Sequence, residues 1–384
     1  MEDLLRFDPE NYRLKQLTLA DRTIEYREYS NIRYCSNPLD DIQKMNIFVP
    51  AGYFRNEKIN GYDMHSAPIF MPNTVGGYMP GPVDEPCIDS HTGKINSIFM
   101  ALEHGYVVVS AGVRGRTTGK ESTEFFEGSR EGRISENTGR KVGRAPAFLV
   151  DYKAAVRYLR HNRDCIFGDT ERIITNGTSA GGALSALAGA SGNSEFFESY
   201  LDQIGAARQR DDIFAASCYC PIHNLENADS AYEWLFNGIN DYHRTKHQRT
   251  ENGIIRVPDE GIMTEEQTEV STELKKLFPS YINSLNLRDE EDILTLDEEG
   301  EGTFREYVKK EIVKSAEKEY QDHWSENKAA HLLVAGSRIN EQPYLQIKDG
   351  HVQDLDFNAY VHAITRMKRS EEHTSELQSL AYLV

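Results

Sequence analysis

The stretch that decides the fold is RIITNGTSAGGALSALAGASGN, residues 172–193. Its centre, residues 177–181, reads G-T-S-A-G, with a short β-rich run before it and small, helix-compatible residues after it. A strand, a sharp turn that carries a serine, and a helix form the context that a nucleophile elbow requires. The glycines are needed because side chains there would collide with the neighbouring strand and helix. We therefore interpret Ser179 as a nucleophile; a plain turn at a helix start is the alternative.

The same turn predicts half of an oxyanion hole. A helix N-terminus directs backbone N–H groups and partial positive charge at a developing oxyanion. The second donor of such a hole normally comes from a glycine-rich loop after an earlier strand, and PIFMPNTVGGYMPGP, with Gly76 and Gly77, provides that pattern. Both segments lie at the carboxyl ends of strands, where α/β proteins bind ligands. A Gly/Pro-rich surface turn is the alternative for the second segment.

The surrounding segments alternate between strand and helix patterns. Residues 23–35 and 44–54 alternate apolar and polar residues, as antiparallel strands with one wet face do. Three short segments are apolar and β-rich, which is typical of parallel strands covered on both faces. They are APIFMPN, GYVVVSAGV and RIITNG. Residues 145–162 have helical periodicity, with Phe148, Leu149, Tyr152, Val156 and Leu159 on the apolar side. This order predicts an α/β protein whose mostly parallel sheet is flanked by helices.

The character of the sequence changes after Cys220, where the segments become helical, long and strongly charged. Residues 264–287 and 302–333 predict amphipathic helices, and the acidic run 288–302 between them predicts a solvated loop. A calcium loop is the alternative for that run, but the ordered D-x-D-x-D-G pattern with a terminal Glu is missing. We expect this region to be a helical lid. Residues 119–141, rich in Gly, Ser and Glu, predict a flexible loop within the core.

Composition limits the partners. The 384 residues carry 43 Lys and Arg against 61 Asp and Glu, a formal net charge of −18. This charge disfavours nucleic acid and anionic membranes and suits a neutral small-molecule ligand. No segment approaches a membrane span and no leader pattern opens the chain, so we predict a cytoplasmic protein. The five scattered cysteines predict no disulfide framework, and Cys218 and Cys220 predict small residues on a buried strand, with metal binding as the alternative.

A resemblance to a known family is carried by five blocks of the sequence: NTVGGYMPGP, YVVVSAGVRGRTT, GRAPAFLVDYKAAVRYLRHN, RIITNGTSAGGALSALAGASGN and CPIHNLENADSAYEWLFNGINDYHR. They resemble the bacterial tannases, the tannin acylhydrolases of the α/β-hydrolase fold, from about the first residues to Lys368. The resemblance implies a serine esterase that cleaves galloyl ester bonds of gallotannins and simple gallate esters through a galloyl-enzyme. It also implies a lid domain inserted in the core, and neither cofactor nor metal.

The resemblance implies a role for five residues. Ser179 matches the family nucleophile, and the backbone N–H groups of Gly77 and Ala180 match its oxyanion hole. Ile222, in CPIHN, matches an apolar residue that packs on the galloyl ring. Lys368, in TRMK, matches a lysine that hydrogen-bonds the galloyl hydroxyls. By residue type alone, Ile222 would be a core residue and Lys368 an exposed lysine.

The resemblance also implies where the rest of a catalytic triad should be. It places a hydrolase core at 1–219 and a lid at 220–368, and the family takes its acid and base from the core segment that returns after the lid. No such segment follows Lys368, so we expect the triad Asp and His and the final core strands to be absent from this chain. His362 is an alternative base, but a surface histidine on a lid helix fits its surroundings better. We therefore expect no turnover of methyl gallate by the chain as written.

The last residues have a separate interpretation. RSEEHTSELQS, which begins at Arg369, is the translation of a widely used short-read sequencing adapter in this frame. We therefore interpret residues 369–384 as adapter-derived, with a helical tail on the lid as the alternative. Two other functions remain open: a feruloyl or other aryl-ester hydrolase of the same fold, and a non-catalytic α/β-hydrolase-like binding protein. The preferred ester and the oligomeric state are left open.

Overall fold

A computed structural model describes residues 4–89, 93–119, 142–250, 253–324, 343–364 and 366. These residues divide into two units. The first comprises Met1–His223 and His247–Ile255, and the second comprises Asn224–Lys246 and Arg256–Ala381, as far as those stretches are described. The assignment of a core to 1–219, a lid to 220–368 and an adapter-derived tail to 369–384 stays a prediction, and the tail lies outside the described residues.

The first unit contains a seven-stranded sheet. Its strands are β1 Arg13–Leu19, β2 Arg22–Arg33, β3 Lys44–Pro50, β4 Pro68–Pro72, β5 Val107–Ala111, β6 Asp169–Thr178 and β7 Ala215–Tyr219. Their spatial order is β1-β2-β3-β5-β4-β6-β7. The pairs β1–β2, β2–β3 and β3–β5 are antiparallel, whereas the pairs β5–β4, β4–β6 and β6–β7 are parallel. The predicted α/β class is confirmed, with the apolar strands in the parallel part. Of the two strands predicted to have one wet face, β2 has one, but β3 is buried from Met45 to Pro50. That prediction was wrong for β3, because Ile47 and Phe48 pack into the clusters on opposite faces of the sheet.

Helices cover both faces of this sheet. They are α1 Ser97–Glu103, α2 Ala147–His161, α3 Ala180–Ala190 and α4 Glu198–Gln203, with short 3-10 turns at Ala51–Arg55 and Glu195–Phe197. The alternation along β5 separates two cores. Val107 and Val109 belong to the larger cluster, which includes residues of α2 and α3, whereas Val108 belongs to a cluster with Phe99 and Leu102 of α1.

Helix α2 is buried almost all round. The five apolar residues predicted for its inner side are at most 5% exposed, which confirms that prediction. Its charged residues are buried too, and each has a partner. Lys153 Nζ donates to Asp211 Oδ1 at 2.7 Å, and Arg157 Nε donates to Asp211 Oδ2 at 2.8 Å. Hydrogen bonds of this kind replace the water that a buried charge loses.

A buried ion pair fixes the chain that leaves β5. Arg114 and Asp151 are 4% and 0% exposed, and Arg114 Nη2 donates to Asp151 Oδ1 at 2.7 Å. Asp151 also accepts the backbone N–H of Arg114 at 2.8 Å and Gln43 Nε2 at 2.8 Å. The segment after β5 is thereby attached to α2 and to the loop before β3.

Strand β7 corrects the prediction of a buried strand around Cys218 and Cys220. It pairs with β6 alone among the described residues, and Ala216 and Tyr219 on it are exposed. Cys218 is half-buried, whereas Cys220 lies beyond the strand, is exposed and has a positive φ of 42°. The sequence run is apolar, but one side of an edge strand lacks the neighbour that would bury it.

The described elements after His223 are helices and two-stranded hairpins. They are α5 Leu225–Phe236, β8 Asp241–Thr250, β9 Gly253–Ile262, α6 Glu265–Ser284, β10 Arg288–Asp289, β11 Asp292–Ile293, α7 Thr303–Trp324, β12 Leu345–Lys348, β13 His351–Leu355 and α8 Phe357–Ile364. Helices α6 and α7 confirm the two helix predictions as far as they are described, and α6 begins with a capping box at Thr264. Residues 325–333 and the predicted loop 120–141 lie outside the described residues. In the described part, no helix is both long enough and apolar enough to cross a bilayer.

The acidic run 288–302 is more ordered than predicted. It forms the small hairpin β10–β11, and the two leucines that follow, Leu294 and Leu296, are only 5% and 4% exposed. Leu296 packs in a cluster with Phe278 and Ile282 of α6. The prediction of a solvated loop was therefore wrong in part, because alternate side chains of an acidic segment can still turn inward.

The buried pair Arg114–Asp151 predicts a large and specific cost of substitution. Arg114→Met leaves an uncompensated carboxylate in the core and should lower the stability of the first unit by about 3–5 kcal/mol. Arg6→Met removes an exposed pair, whose side chains are 48% and 59% exposed, and should cost about 1 kcal/mol or less. Amide hydrogen exchange of peptides from α2 measures both free energies of opening. Equal effects of the two substitutions would contradict this account of the core.

Candidate active site

Ser179 has an unusual backbone. It separates β6 from α3, with φ 58° and ψ −121°. Residues with side chains rarely adopt a positive φ, because the Cβ atom crowds the backbone. Such strain costs about 1–3 kcal/mol and persists only where the surroundings hold it. The serine is therefore not at an ordinary helix start, and this geometry is the one that a nucleophile elbow needs.

The strained residue is held on the side of β7. Ser179 N donates to the carbonyl oxygen of Tyr219 at 2.9 Å, and the carbonyl oxygen of Ser179 accepts Ile222 N at 3.2 Å. The same carbonyl accepts Ala183 N at 2.9 Å, which begins the hydrogen bonding of α3. Strand β7 and the residues just after it therefore hold both polar groups of the Ser179 backbone.

The glycines of the turn are required by close packing. A Cβ atom at Gly177 would overlap the carbonyl of Gly181 and lie 2.5 Å from Asn73 Nδ2. At Gly182 it would lie 2.7 Å from the carbonyl oxygen of Tyr219, in the neighbouring strand. The predicted collision with the helix is present at Gly177, whereas the collision with a strand occurs at Gly182, one residue beyond the motif. The contact with Asn73, in the loop after β4, is an additional one that the motif alone does not indicate.

The loop after β4 is anchored to the segment after β5. Gly77 has φ 54°, and its carbonyl oxygen accepts Arg116 Nε at 3.1 Å. Arg116 N donates to the carbonyl oxygen of Tyr78 at 2.8 Å, and Gly81 exchanges two backbone hydrogen bonds with Val113 at 3.0 and 2.8 Å. The orientation of the peptide groups around Gly77 is thus fixed from the adjacent strand.

The two N–H groups that the sequence assigns to an oxyanion hole are available. Ala180 is the first residue of α3, so its N–H has no acceptor within the helix. In the described residues, neither the Ala180 N–H nor the Gly77 N–H donates a hydrogen bond outside a helix or strand. Both groups follow parallel strands, β6 and β4, that pair directly. Their assignment to one oxyanion hole stays a prediction, which this arrangement supports.

Tyr78 packs the Gly77 loop against helix α2. Its ring packs edge-on against Phe148 of α2, with centroids 5.6 Å apart. Burial raises the pKa of Tyr78 to about 12, so the hydroxyl keeps its proton at neutral pH. The loop therefore rests on a neutral, largely apolar support, and no negative charge from this tyrosine opposes a developing oxyanion.

The other predicted site residues differ in how far the structure places them. Ile222 is half-buried, packs against the large cluster of the first unit and lies next to Ser179 through its N–H. Lys368 lies outside the described residues. In the described residues, the rings of His104, His243 and His351 hydrogen-bond to groups other than Ser179. His362 on α8 is exposed, in line with a surface histidine.

Two residues that organise the site were missed from the sequence. Asn73 and Arg116 both lie in blocks that resemble the tannases, but their residue types carry no distinct signal. An asparagine after a strand is common in turns, and an arginine near a glycine is common on surfaces. Only their contacts with Gly181 and Gly77 show that they belong to the site.

Comparisons with known proteins agree with the geometry. Residues 136–248 match the family model BD-FAE. Esterase LipQ of Mycobacterium tuberculosis is 33% identical over 90 residues, which cover 23% of this chain and 20% of that protein. The match therefore spans only a fifth of that esterase.

Solved structures are similar over most of the chain. A crystal structure of tannase from Lactobacillus plantarum is 45% identical, with a TM-score of 0.75, and the match covers 95% of this chain and 73% of that one. A tannin acyl hydrolase in complex with ethyl gallate is 44% identical, with a TM-score of 0.73, over 95% of this chain and 72% of that one. The resemblance seen in the sequence is confirmed.

The strain at Ser179 can be measured directly. Ser179→Gly removes the Cβ atom that makes a positive φ unfavourable, whereas Ser179→Ala keeps it. We expect Ser179→Gly to be more stable than Ser179→Ala by about 1 kcal/mol, after the entropic cost of glycine is subtracted. Urea unfolding followed by far-UV circular dichroism measures the difference.

Thr178 provides the matched control. It is exposed, adjacent to Ser179 and not among the residues with positive φ. There the order should reverse, with Thr178→Gly less stable than Thr178→Ala by about 0.5–1 kcal/mol. If glycine is the less stable choice at both positions, Ser179 is not strained.

Proposed function

Because the chain belongs to the tannase family of carboxylic ester hydrolases, we propose that it acts on galloyl esters, both gallotannins and simple gallate esters, with Ser179 as the nucleophile. One observation carries the proposal: the strained, positive-φ backbone of Ser179 between a parallel strand and a helix. An ordinary helix start does not require a strained residue. A nucleophile elbow does, because the strained conformation exposes the serine hydroxyl.

The chemistry would proceed as acyl transfer. Ser179 Oγ attacks the ester carbonyl, and the carbonyl oxygen becomes an oxyanion that accepts hydrogen bonds from Gly77 N and Ala180 N. The C–O bond to the alcohol breaks, which leaves an acyl-enzyme that water then hydrolyses. Turnover requires a general base that takes the Ser179 proton and gives it to the departing alcohol; the family resemblance puts that base and its acid in the segment after the lid.

The acyl group fits the residues beside the nucleophile. A gallate is flat, neutral and rich in hydroxyls, so its site needs an apolar surface for the ring and polar groups for the phenols. Ile222 offers half-buried apolar surface next to Ser179, and Lys368 is the predicted partner of the hydroxyls. The homologous tannin acyl hydrolase that binds ethyl gallate supports this class of substrate.

Turnover of three methyl esters tests the proposal. Methyl gallate, methyl ferulate and methyl benzoate are offered to the 384-residue chain and to any longer form that its gene encodes. Whichever form turns over should prefer methyl gallate to methyl benzoate by about 100-fold or more in kcat/KM, because the hydroxyl-binding groups stay unpaired with benzoate. Ser179→Ala should reduce kcat by about 1000-fold or more.

The outcomes separate the alternatives. A preference for methyl ferulate would favour the feruloyl-esterase alternative, and turnover that survives Ser179→Ala would overturn the nucleophile. Binding of gallate without turnover by either form would favour the non-catalytic alternative. Turnover by the 384-residue chain would support the function but contradict the expected absence of the triad Asp and His. The cytoplasmic location stays a prediction.

A further inference from the structure

Asn73 lies between the two halves of the candidate active site. It follows β4, is half-buried and begins the loop that leads to Gly77. Its Nδ2 donates to the carbonyl oxygen of Asn176 at 2.9 Å, to the carbonyl oxygen of Gly181 at 3.0 Å and to Ser185 Oγ at 3.1 Å. One side-chain amide therefore contacts the end of β6, the turn and the helix α3.

The oxygen of the same amide binds the loop that begins at Asn73. Asn73 Oδ1 accepts Val75 N at 3.2 Å, and Asn73 N donates to the carbonyl oxygen of Asn176 at 2.9 Å. Backbone carbonyls only accept and backbone N–H groups only donate. The orientation of the amide is therefore fixed by chemistry, with Nδ2 toward the serine turn and Oδ1 toward the loop of Gly77.

The two glycines of the G-x-S-x-G motif leave space for this amide. A Cβ atom at Gly177 would lie 2.5 Å from Asn73 Nδ2, and one at Gly181 would overlap Asn73 Oδ1. A Cβ atom at Gly181 would also lie 2.8 Å from the carbonyl oxygen of Val75. The serine turn, Asn73 and the start of the Gly77 loop thus pack as one unit.

We propose that Asn73 is a positioning residue for ester hydrolysis: its amide sets the distance and orientation between the Gly77 loop and the Ser179 turn, so that Gly77 N and Ala180 N converge on one oxyanion. The proposal rests on the proposed function of Ser179 as a nucleophile. A single oxyanion donor contributes about 100- to 1000-fold to the rate, and small displacements of catalytic groups cost about 100-fold. Loss of the amide should therefore weaken binding of a tetrahedral anion without removing the serine.

The test uses phenylboronic acid as the probe, with the full 384-residue chain. Ser179 Oγ donates an electron pair to boron and forms a B–O bond, its proton goes to solvent, and the boron becomes a tetrahedral anion with a hydroxyl at the oxyanion position. Boron NMR measures the dissociation constant of this adduct, and Ser179→Ala defines the signal that does not depend on the serine. No turnover is needed for this measurement.

Two substitutions of Asn73 separate donation from packing. Asn73→Leu, similar in size and apolar, should weaken the adduct about 100-fold at every pH. Asn73→Asp should weaken it about as much at about pH 8, because a carboxylate cannot donate to the carbonyls of Asn176 and Gly181. The facing carbonyls should raise the pKa of the introduced carboxyl group, so that it gains a proton as the pH falls toward about 5. The affinity of this variant relative to the unmodified chain should then recover.

Ser185→Ala is the mild control. It removes one of the three acceptors and leaves both carbonyls, so we expect a loss of about 10-fold or less. Far-UV circular dichroism confirms that each variant is folded at both pH values. Recovery of Asn73→Asp at low pH without recovery of Asn73→Leu supports the proposal, because a general loss of packing would affect both.

The results distinguish this inference from the function on which it rests. An adduct in the unmodified chain that both Asn73 variants retain unchanged overturns the positioning role alone. The absence of any Ser179-dependent adduct in the unmodified chain overturns the nucleophile and the positioning role together. Parallel loss in both variants at every pH also overturns the role, since donation by the amide would then not matter.

Discussion

The backbone conformation of Ser179 is the constraint on which the rest of the site depends. A φ of 58° is unfavourable for a residue with a side chain, so neighbouring groups must hold it there. Tyr219 and Ile222 bind its N–H and its carbonyl from the side of β7, and Asn73 binds the flanking backbone from the side of β4. The elbow is therefore a property of three parallel strands together and not of the pentapeptide alone.

One buried ion pair lies close in sequence to the groups that hold the Gly77 loop. Arg114 and Asp151 fix the start of the segment after β5, and Arg116, two residues further on, reaches the carbonyl of Gly77. Rigid support of this kind matters because oxyanion donors act only when they are already aimed at the place where charge develops. The first unit thus connects core electrostatics to the orientation of one peptide group.

Much of this could be predicted from the sequence, because it depends on local patterns. The strand, the small-residue helix and the glycines around Ser179 indicate an elbow, and the apolar runs indicate the parallel strands. The role of Asn73 could not be predicted, since it arises from contacts across more than 100 residues of sequence. The exposure of β7 was missed as well, because an apolar run does not reveal which strand lies at the edge of the sheet that the described residues form. The burial of Leu296 in the acidic run was also missed, because it depends on packing against helix α6.

A crystal structure of the unliganded chain, at a resolution that defines carbonyl oxygens, tests the central claim most directly. We expect Ser179 to have a positive φ near 58°, its N–H to donate to the Tyr219 carbonyl, and the Asn73 amide to lie between Gly177 and Gly181. Ser179 with an ordinary helical φ, or Asn73 turned out to solvent, would contradict it. The first result would mean that the turn is a plain helix start, and the second that the Asn73 amide does not hold the turn.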